Sequence, residues 1–438
     1  MCGSLIGGTR SGGTQVGRGE REGGALVQER EEEQECDWQV AWAGERCDTW
    51  HAETEQEGEV QMSSAPKRVA IVGSGNWGTA IAKIVGKNCA RLPGLDNEVR
   101  MWVFEEMVNG KKLTEIINTQ HENTKYMPGI KLPHNVVADP CVVSATKKAD
   151  ILIFVLPHQF LGGLCKKILG NTNPGCIAVS LIKAVHFDSS GMVLISSMIK
   201  QGLGGMDVSV LMGANLAKEV AGGAFCETTI GYGVEENGKL LQTVFNDPLF
   251  HVSIVKDVPG VEVCGALKNV VALGAGFSDG MGLGDNSKAA IIRIGLMEMK
   301  KFIQAHYPGV MDSTFFESCG VADLIVTCYG GRNRRCAEAF ANFEEIEKEL
   351  LNGQKLQGTL TVKEVVKVLE AAGTLEGYPL FKSINAVAFQ GAPPEAMLAS
   401  LGCFTLGTVP IQAGQFDQVE THRTVVYYGR AGDKRAAL

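Results

Sequence analysis

The stretch RVAIVGSGNWGTAIAKIV, residues 68–85, decides how this chain is read. Val69, Ala70, Ile71 and Val72 form a short apolar run rich in β-branched residues, the pattern of a strand buried on both faces. Gly73, Gly75 and Gly78 follow at GxGxxG spacing, and small and aliphatic residues then recur at helical intervals. Each glycine has its own task in such a unit: one permits the tight turn, one lets backbone approach a pyrophosphate, and one allows close helix–strand packing. The free N–H groups and dipole of the helix start favour phosphate charge. With 54 glycines in the chain the spacing alone says little; its place between a strand and a helix points to a dinucleotide site.

Outward from this motif, short apolar runs alternate with helical text. Strands are expected at 68–72, 100–104, 151–156, 176–181, 209–212, 228–232 and 252–255, with amphipathic segments such as 78–85 and 113–118 between them. That alternation predicts a parallel sheet covered on both faces, a Rossmann-type doubly wound domain spanning 67–257. After about residue 258 helical patterns take over at 261–274, 287–306, 313–326 and 335–351, so a mostly helical substrate domain is expected over 258–390. A ligand cleft is expected between the two. Residues 1–66 are rich in Gly, Glu, Gln and Arg, include EREEEQECD, and are expected to be a disordered extension. They have neither the apolar core of a signal peptide nor the acid-poor composition of a transit peptide, and Met62 is a candidate internal start. Residues 391–438 show no clear period and are expected as an atypical tail outside the core.

Composition narrows the function. In 438 residues, 45% are hydrophobic and 21% charged, ordinary for a globular chain of two domains. A net charge of -8 gives no global attraction to nucleic acid or an anionic membrane, so an anionic substrate needs a local cationic pocket. No apolar run approaches the roughly 20 residues of a membrane helix. The 13 cysteines form no CxxC pair, so neither a disulfide framework nor a metal site is expected; buried thiols in a reducing compartment are.

The second strand is followed by Glu105, placed to meet an adenosine ribose, with no Arg or Lys after it for a 2′-phosphate; NAD is therefore preferred over NADP. His158, at the end of ADILIFVLPHQF, reads either as a proton donor or as a loop histidine beside the cofactor. Two lysines interrupt apolar text. Lys183 follows IAVSLIK at the carboxyl end of a strand, and Lys268 sits in VEVCGALKNVVALGAGFSDG. A lysine so placed is paired or functional, because an unpaired buried charge is costly. Burial and a second cation lower its pKa, which suits a proton donor to a carbonyl oxygen. In ESCGVADLIVTCYGGRNRR, Asp323 can hold Lys268, Thr327 lies one turn on, and Gly330, Gly331, Arg332 and Asn333 read as a phosphate-binding loop or as a plain surface turn.

Together these stretches, with MWVFEE, YMPGIKLP, VLMGAN, FCETTIG and NGQKLQG, resemble the cytosolic NAD-dependent glycerol-3-phosphate dehydrogenases over about residues 67–381. The resemblance implies a cytoplasmic homodimer that interconverts dihydroxyacetone phosphate and glycerol 3-phosphate with NAD. Carried over by residue, it implies cofactor contacts at Gly73, Ser74, Gly75, Asn76, Trp77, Gly78, Phe104, Phe160, Ala217, Arg332, Lys355 and Gln357. It implies catalysis by Lys268 with Asp323 and Thr327, and substrate contacts at Lys183, Asn269, Arg332 and Asn333. Ala184 stands where the family has Gly. The residues also admit two other readings: a related hydroxy-acid dehydrogenase, or an NAD-binding regulatory protein without turnover.

Overall fold

The computed structural model describes residues 65–188, 191–339 and 356–405, within a compact unit that starts at Met62. Nearly all of the expected N-terminal extension, and the tail beyond 405, lie outside the described residues. Eight strands make one sheet: β1 (Lys67–Val72), β2 (Leu95–Trp102), β3 (Val136–Asp139), β4 (Ile151–Phe154), β5 (Ile177–Ser180), β6 (Val208–Met212), β7 (Cys226–Gly231) and β8 (Phe250–Val255). Their spatial order is β3-β2-β1-β4-β5-β6-β7-β8. The first six follow the doubly wound order with the crossover beside β1. β1 is central, Val69 lying opposite both Val99 and Ile151 in parallel register.

The apolar run of β1 is continuous because both of its faces are buried. Val69 and Ile71 join a core with Ile81, Val85 and Val99, whereas Ala70 and Val72 join another with Leu164, Ile168 and Ile199. Helix α1 (Asn76–Arg91) covers the first face; α3 (Leu161–Ile168) and α4 (Ile195–Gly202) cover the second. Between α1 and α3, α2 (Leu113–Gln120) packs beside β3.

The sheet departs from the all-parallel expectation at one place. β7 runs antiparallel to β6, and β8 parallel to β7. The link between β6 and β7 holds only the six-residue helix α5 (Ala217–Gly222), too little to cross the sheet and return in parallel. A full helix, α6 (Glu235–Phe245), does carry the parallel step from β7 to β8. β3 was not anticipated: four residues at an edge carry too short a pattern to read.

Beyond β8 the described residues are helical, as expected. Helix α7 (Val258–Gly280) begins at Asp257, whose carboxylate accepts the Gly260 N–H at 2.8 Å, with Pro259 in the first turn. It is buried almost throughout. Among the described residues it is the one helix long and apolar enough to cross a membrane, and it does so only in composition, since it is the axis of the helical core. Around it pack α8 (Asp285–His306), α9 (Asp323–Gly330), α10 (Arg332–Glu338), α11 (Gln357–Ala371) and α12 (Pro379–Phe389). Two expectations need correction. Residues 313–326 are not one helix but a 3-10 turn (Asp312–Phe316), a π turn (Ser318–Ala322) and then α9. Tethers to the sheet break it: Ser318 Oγ donates to the Glu227 carbonyl at 2.6 Å, and Ser253 Oγ donates to Glu317 at 2.7 Å. Residues 395–405, expected in a tail outside the core, form helix α13 (Glu395–Thr405), and its Met397 and Leu401 are buried with α12.

Candidate active site

Strands β1, β2, β4, β5 and β6 all run the same way, so the segments after them gather at one edge of the sheet. There the glycine turn follows β1, exposed Phe104 follows β2 and exposed Phe160 follows β4. Lys183 follows β5 and Gly213 follows β6. Topology alone thus brings together the turn and one of the two lysines.

The three glycines have three different surroundings. Gly73 has φ 126, and a methyl there would run into the Val155 carbonyl. At Gly78 a methyl would run into the Gly73 carbonyl, so helix and turn are packed together. At Gly75 a methyl would meet nothing within 4 Å. The middle glycine therefore faces open space, as an approaching pyrophosphate requires. Ser74 is buried in the turn, Asn76 is exposed, and Trp77 packs against the core beneath. Ala217 opens α5 and is half-buried. These residues fit a dinucleotide. Glu105 is engaged within the protein as well: its carboxylate accepts the Thr114 N–H (3.2 Å) and hydroxyl (2.7 Å), tying down the start of α2. His158 lies 6.2 Å from His186, ring to ring; burial, then the His186 charge, lowers its pKa.

The second half of the site is a two-lysine cluster on one carboxylate. Asp323, 1% exposed, accepts Lys183 Nζ on one oxygen at 2.9 Å and Lys268 Nζ on the other. Lys183 also donates to the Gly213 carbonyl at 2.7 Å. Lys268 projects from the middle of α7 and is 5% exposed. Burial pulls its ammonium down to about 7; Asp323 opposes this, and the nearby Lys183 charge adds to it. Two ammoniums share one carboxylate, leaving a net positive charge at the carboxyl edge of the sheet. The hydroxyl of Thr327 donates to the Asp323 carbonyl at 2.6 Å, so Thr327 braces the carboxylate's own turn.

Gly330–Asn333 is no loop. α9 and α10 meet there with Gly331 between them, and its N–H is taken by the Thr327 carbonyl at 3.1 Å. Arg332 is exposed at the first turn of α10. Asn333 is buried, donates to Asn269 Oδ1 at 2.9 Å and accepts the Gly358 N–H at 3.0 Å. It thereby joins α7, α10 and α11 beside the lysine cluster. Gln357 is the first residue of α11; Lys355 lies outside the described residues. Sequence reasoning missed Gly213, whose contribution is a backbone carbonyl, and Ser318, which accepts the Ala214 N–H at 3.2 Å. Neither has a side-chain signal that spacing could reveal.

A doubly wound sheet with a glycine turn, set beside a helical domain that carries a buried lysine–carboxylate pair, defines a dinucleotide-dependent oxidoreductase. The family model for the NAD-dependent glycerol-3-phosphate dehydrogenase N-terminus matches residues 68–238, and that for its C-terminus matches 257–399. The chain belongs to the NAD-dependent glycerol-3-phosphate dehydrogenase family. It is 57% identical over 334 residues to the cytoplasmic NAD(+) glycerol-3-phosphate dehydrogenase of Homo sapiens, covering 75% of this chain and 95% of that one. The solved glycerol-3-phosphate dehydrogenase of Saccharomyces cerevisiae is 44% identical, with TM-score 0.73, over 77% of this chain and 99% of its own. That of Plasmodium falciparum is 38% identical, with TM-score 0.75, over 79% and 97%.

Proposed function

We propose that this chain reduces dihydroxyacetone phosphate to glycerol 3-phosphate, reversibly, with Lys268 as proton donor and acceptor. Bound NADH supplies the hydride that reaches the ketone carbon. Lys268, charged, gives a proton to the carbonyl oxygen as negative charge grows there, and its positive charge stabilises that oxygen beforehand. Asp323 orients the ammonium. Lys183 and Asn269 contact the substrate, while Lys183 keeps the Lys268 proton easy to release by repulsion. Arg332 and Asn333 hold the phosphate, and binding at that remote group positions the carbonyl. Thr327 steadies Asp323. On the cofactor side we assign Gly73, Ser74, Gly75, Asn76, Trp77, Gly78, Phe104, Phe160, Ala217, Arg332, Lys355 and Gln357. The family's cytoplasmic homodimer is the assembly we assign to it, with a domain boundary near 257.

The observation that carries this reading is the pair of ammoniums sharing Asp323 at the sheet edge that also holds the glycine turn. The test is NADH absorbance with dihydroxyacetone phosphate. Wild-type protein should consume NADH only when the ketone is present, and Lys268→Ala should stop turnover while leaving NADH fluorescence titrations nearly unchanged. Near-normal turnover in that variant would remove Lys268 from the chemistry.

A further inference from the structure

Asn123 belongs to no assignment made so far, yet it is completely buried and every polar atom of its side chain is used. Its Nδ2 donates to the Ser74 carbonyl at 2.8 Å and to Thr79 Oγ1 at 2.9 Å; its Oδ1 accepts the Tyr126 N–H at 3.2 Å. The chain is brought there by His121, which ends α2 in the left-handed conformation (φ 51) and turns it back beneath the glycine turn. Thr79 Oγ1 donates to the same Ser74 carbonyl at 3.2 Å. One backbone oxygen in the cofactor motif is thus held by two side chains, one from 49 residues away.

That oxygen decides where the next N–H points. In a planar trans peptide the C=O and N–H are directed oppositely. Pinning the Ser74 carbonyl into the protein therefore turns the Gly75 N–H the opposite way, away from Asn123 and Thr79, at a glycine where an added methyl would meet nothing within 4 Å. Were the peptide to rotate, an oxygen would replace a donor at the place where phosphate charge must sit. We propose that Asn123 is a positioning residue for the cofactor pyrophosphate, acting through the Ser74–Gly75 peptide, with Thr79 as its relay. This rests on the dehydrogenase reading above.

The test uses the full chain with Asn123→Asp, which replaces a donor by an acceptor against the Ser74 carbonyl, and Thr79→Val, which removes the relay with little change in shape. NADH affinity is read by fluorescence, and ADP-ribose and AMP are compared as competitors, since only the former carries a pyrophosphate. In N123D the dissociation constants for NADH and ADP-ribose should rise roughly tenfold, the scale of one misdirected hydrogen bond. AMP binding, and kcat at saturating NADH, should stay within about twofold. T79V should show the same selectivity with a smaller rise. Unchanged NADH affinity in folded N123D overturns the proposal, as does an equal loss for AMP and ADP-ribose. If N123D does not fold, T79V decides by the same comparison, and no ADP-ribose-selective loss in it overturns the proposal too. Wild-type protein that binds no NADH would overturn the dehydrogenase reading as well; wild-type binding with an unaffected variant overturns this inference alone.

Discussion

At the residue scale the group we assign to proton transfer is Lys268, and its environment sets a pH dependence. Burial brings its pKa to about 7, so its ammonium fraction falls as pH rises through neutrality. Ketone reduction needs the charged form and glycerol 3-phosphate oxidation the neutral one. The kcat/KM for reduction should therefore decline above about pH 7 while that for oxidation climbs; parallel or flat profiles from pH 6 to 9 would contradict the assignment. Asp323→Asn leaves two ammoniums facing each other without their shared anion. We expect kcat to fall by roughly 10²–10⁴, with NADH binding held within a few-fold. Arg332→Ala should raise KM for dihydroxyacetone phosphate and lower kcat together, because phosphate binding positions the carbonyl. Lys268 was legible in the sequence because it breaks a long apolar run. Glu262 breaks the same run six residues earlier, and there the sequence is silent on its task. The structure gives it a capping role: its carboxylate accepts the Ile195 N–H at 2.5 Å and the Ser196 hydroxyl at 2.5 Å. Gly213 and Asn123 were illegible for different reasons. One acts through a carbonyl that every residue owns, and the other through partners set by a turn far from it in sequence.

At the element scale α7 organises the helical half. Its small residues mark where neighbours come close. A methyl at Gly265 would lie 2.8 Å from Met212 Sδ of β6, and one at Gly276 would run into the Arg334 carbonyl of α10. Gly276→Ala must push α10 away, at about 1–3 kcal/mol for overpacking. Because α10 carries Asn333 and Arg332, the latter assigned to substrate phosphate and cofactor alike, KM for dihydroxyacetone phosphate and KM for NADH should both rise; an unchanged KM for dihydroxyacetone phosphate would argue that α10 is uninvolved in substrate binding. Two buried carboxylates cap helices from a distance. Glu262 caps α4, and Glu298 of α8 caps α12 through the Leu380 and Phe381 N–H groups at 2.7 and 2.9 Å. Burial raises both from 4.5 to about 7. The folded state then binds more protons than the unfolded one between those values, so these groups lower stability as pH rises across 4.5 to 7. Glu262→Gln should flatten the decline in Tm over that window; an unaltered slope would show that Glu262 does not titrate there. The strands of the sheet's centre were readable because both their faces are apolar. The reversal at β7 was not, since direction depends on what a short connection can span. The break before α9 was hidden as well: its cause is hydrogen bonding to strands about 65 to 90 residues away in sequence, as with Glu317 to Ser253 and Cys319 to Thr229.

At the scale of the whole molecule, every described residue assigned to the chemistry lies between Gly73 and Gln357, within the unit that begins at Met62. A chain shortened to begin at Met62 should match the full chain in kcat and in both KM values; a large loss would assign the first 61 residues a part in catalysis. The division into a sheet half and a helical half was legible because hydrophobic periodicity changes once, near residue 258, where the last strand gives way to α7. Lys268 and the seat of α10 at Gly276 lie on the same unbroken helix, eight residues or about 12 Å of axial rise apart, so the amine and α10 keep their relation through the backbone of α7. A bend in α7 between those two points would shift the amine relative to α10 even with every side chain of the site intact.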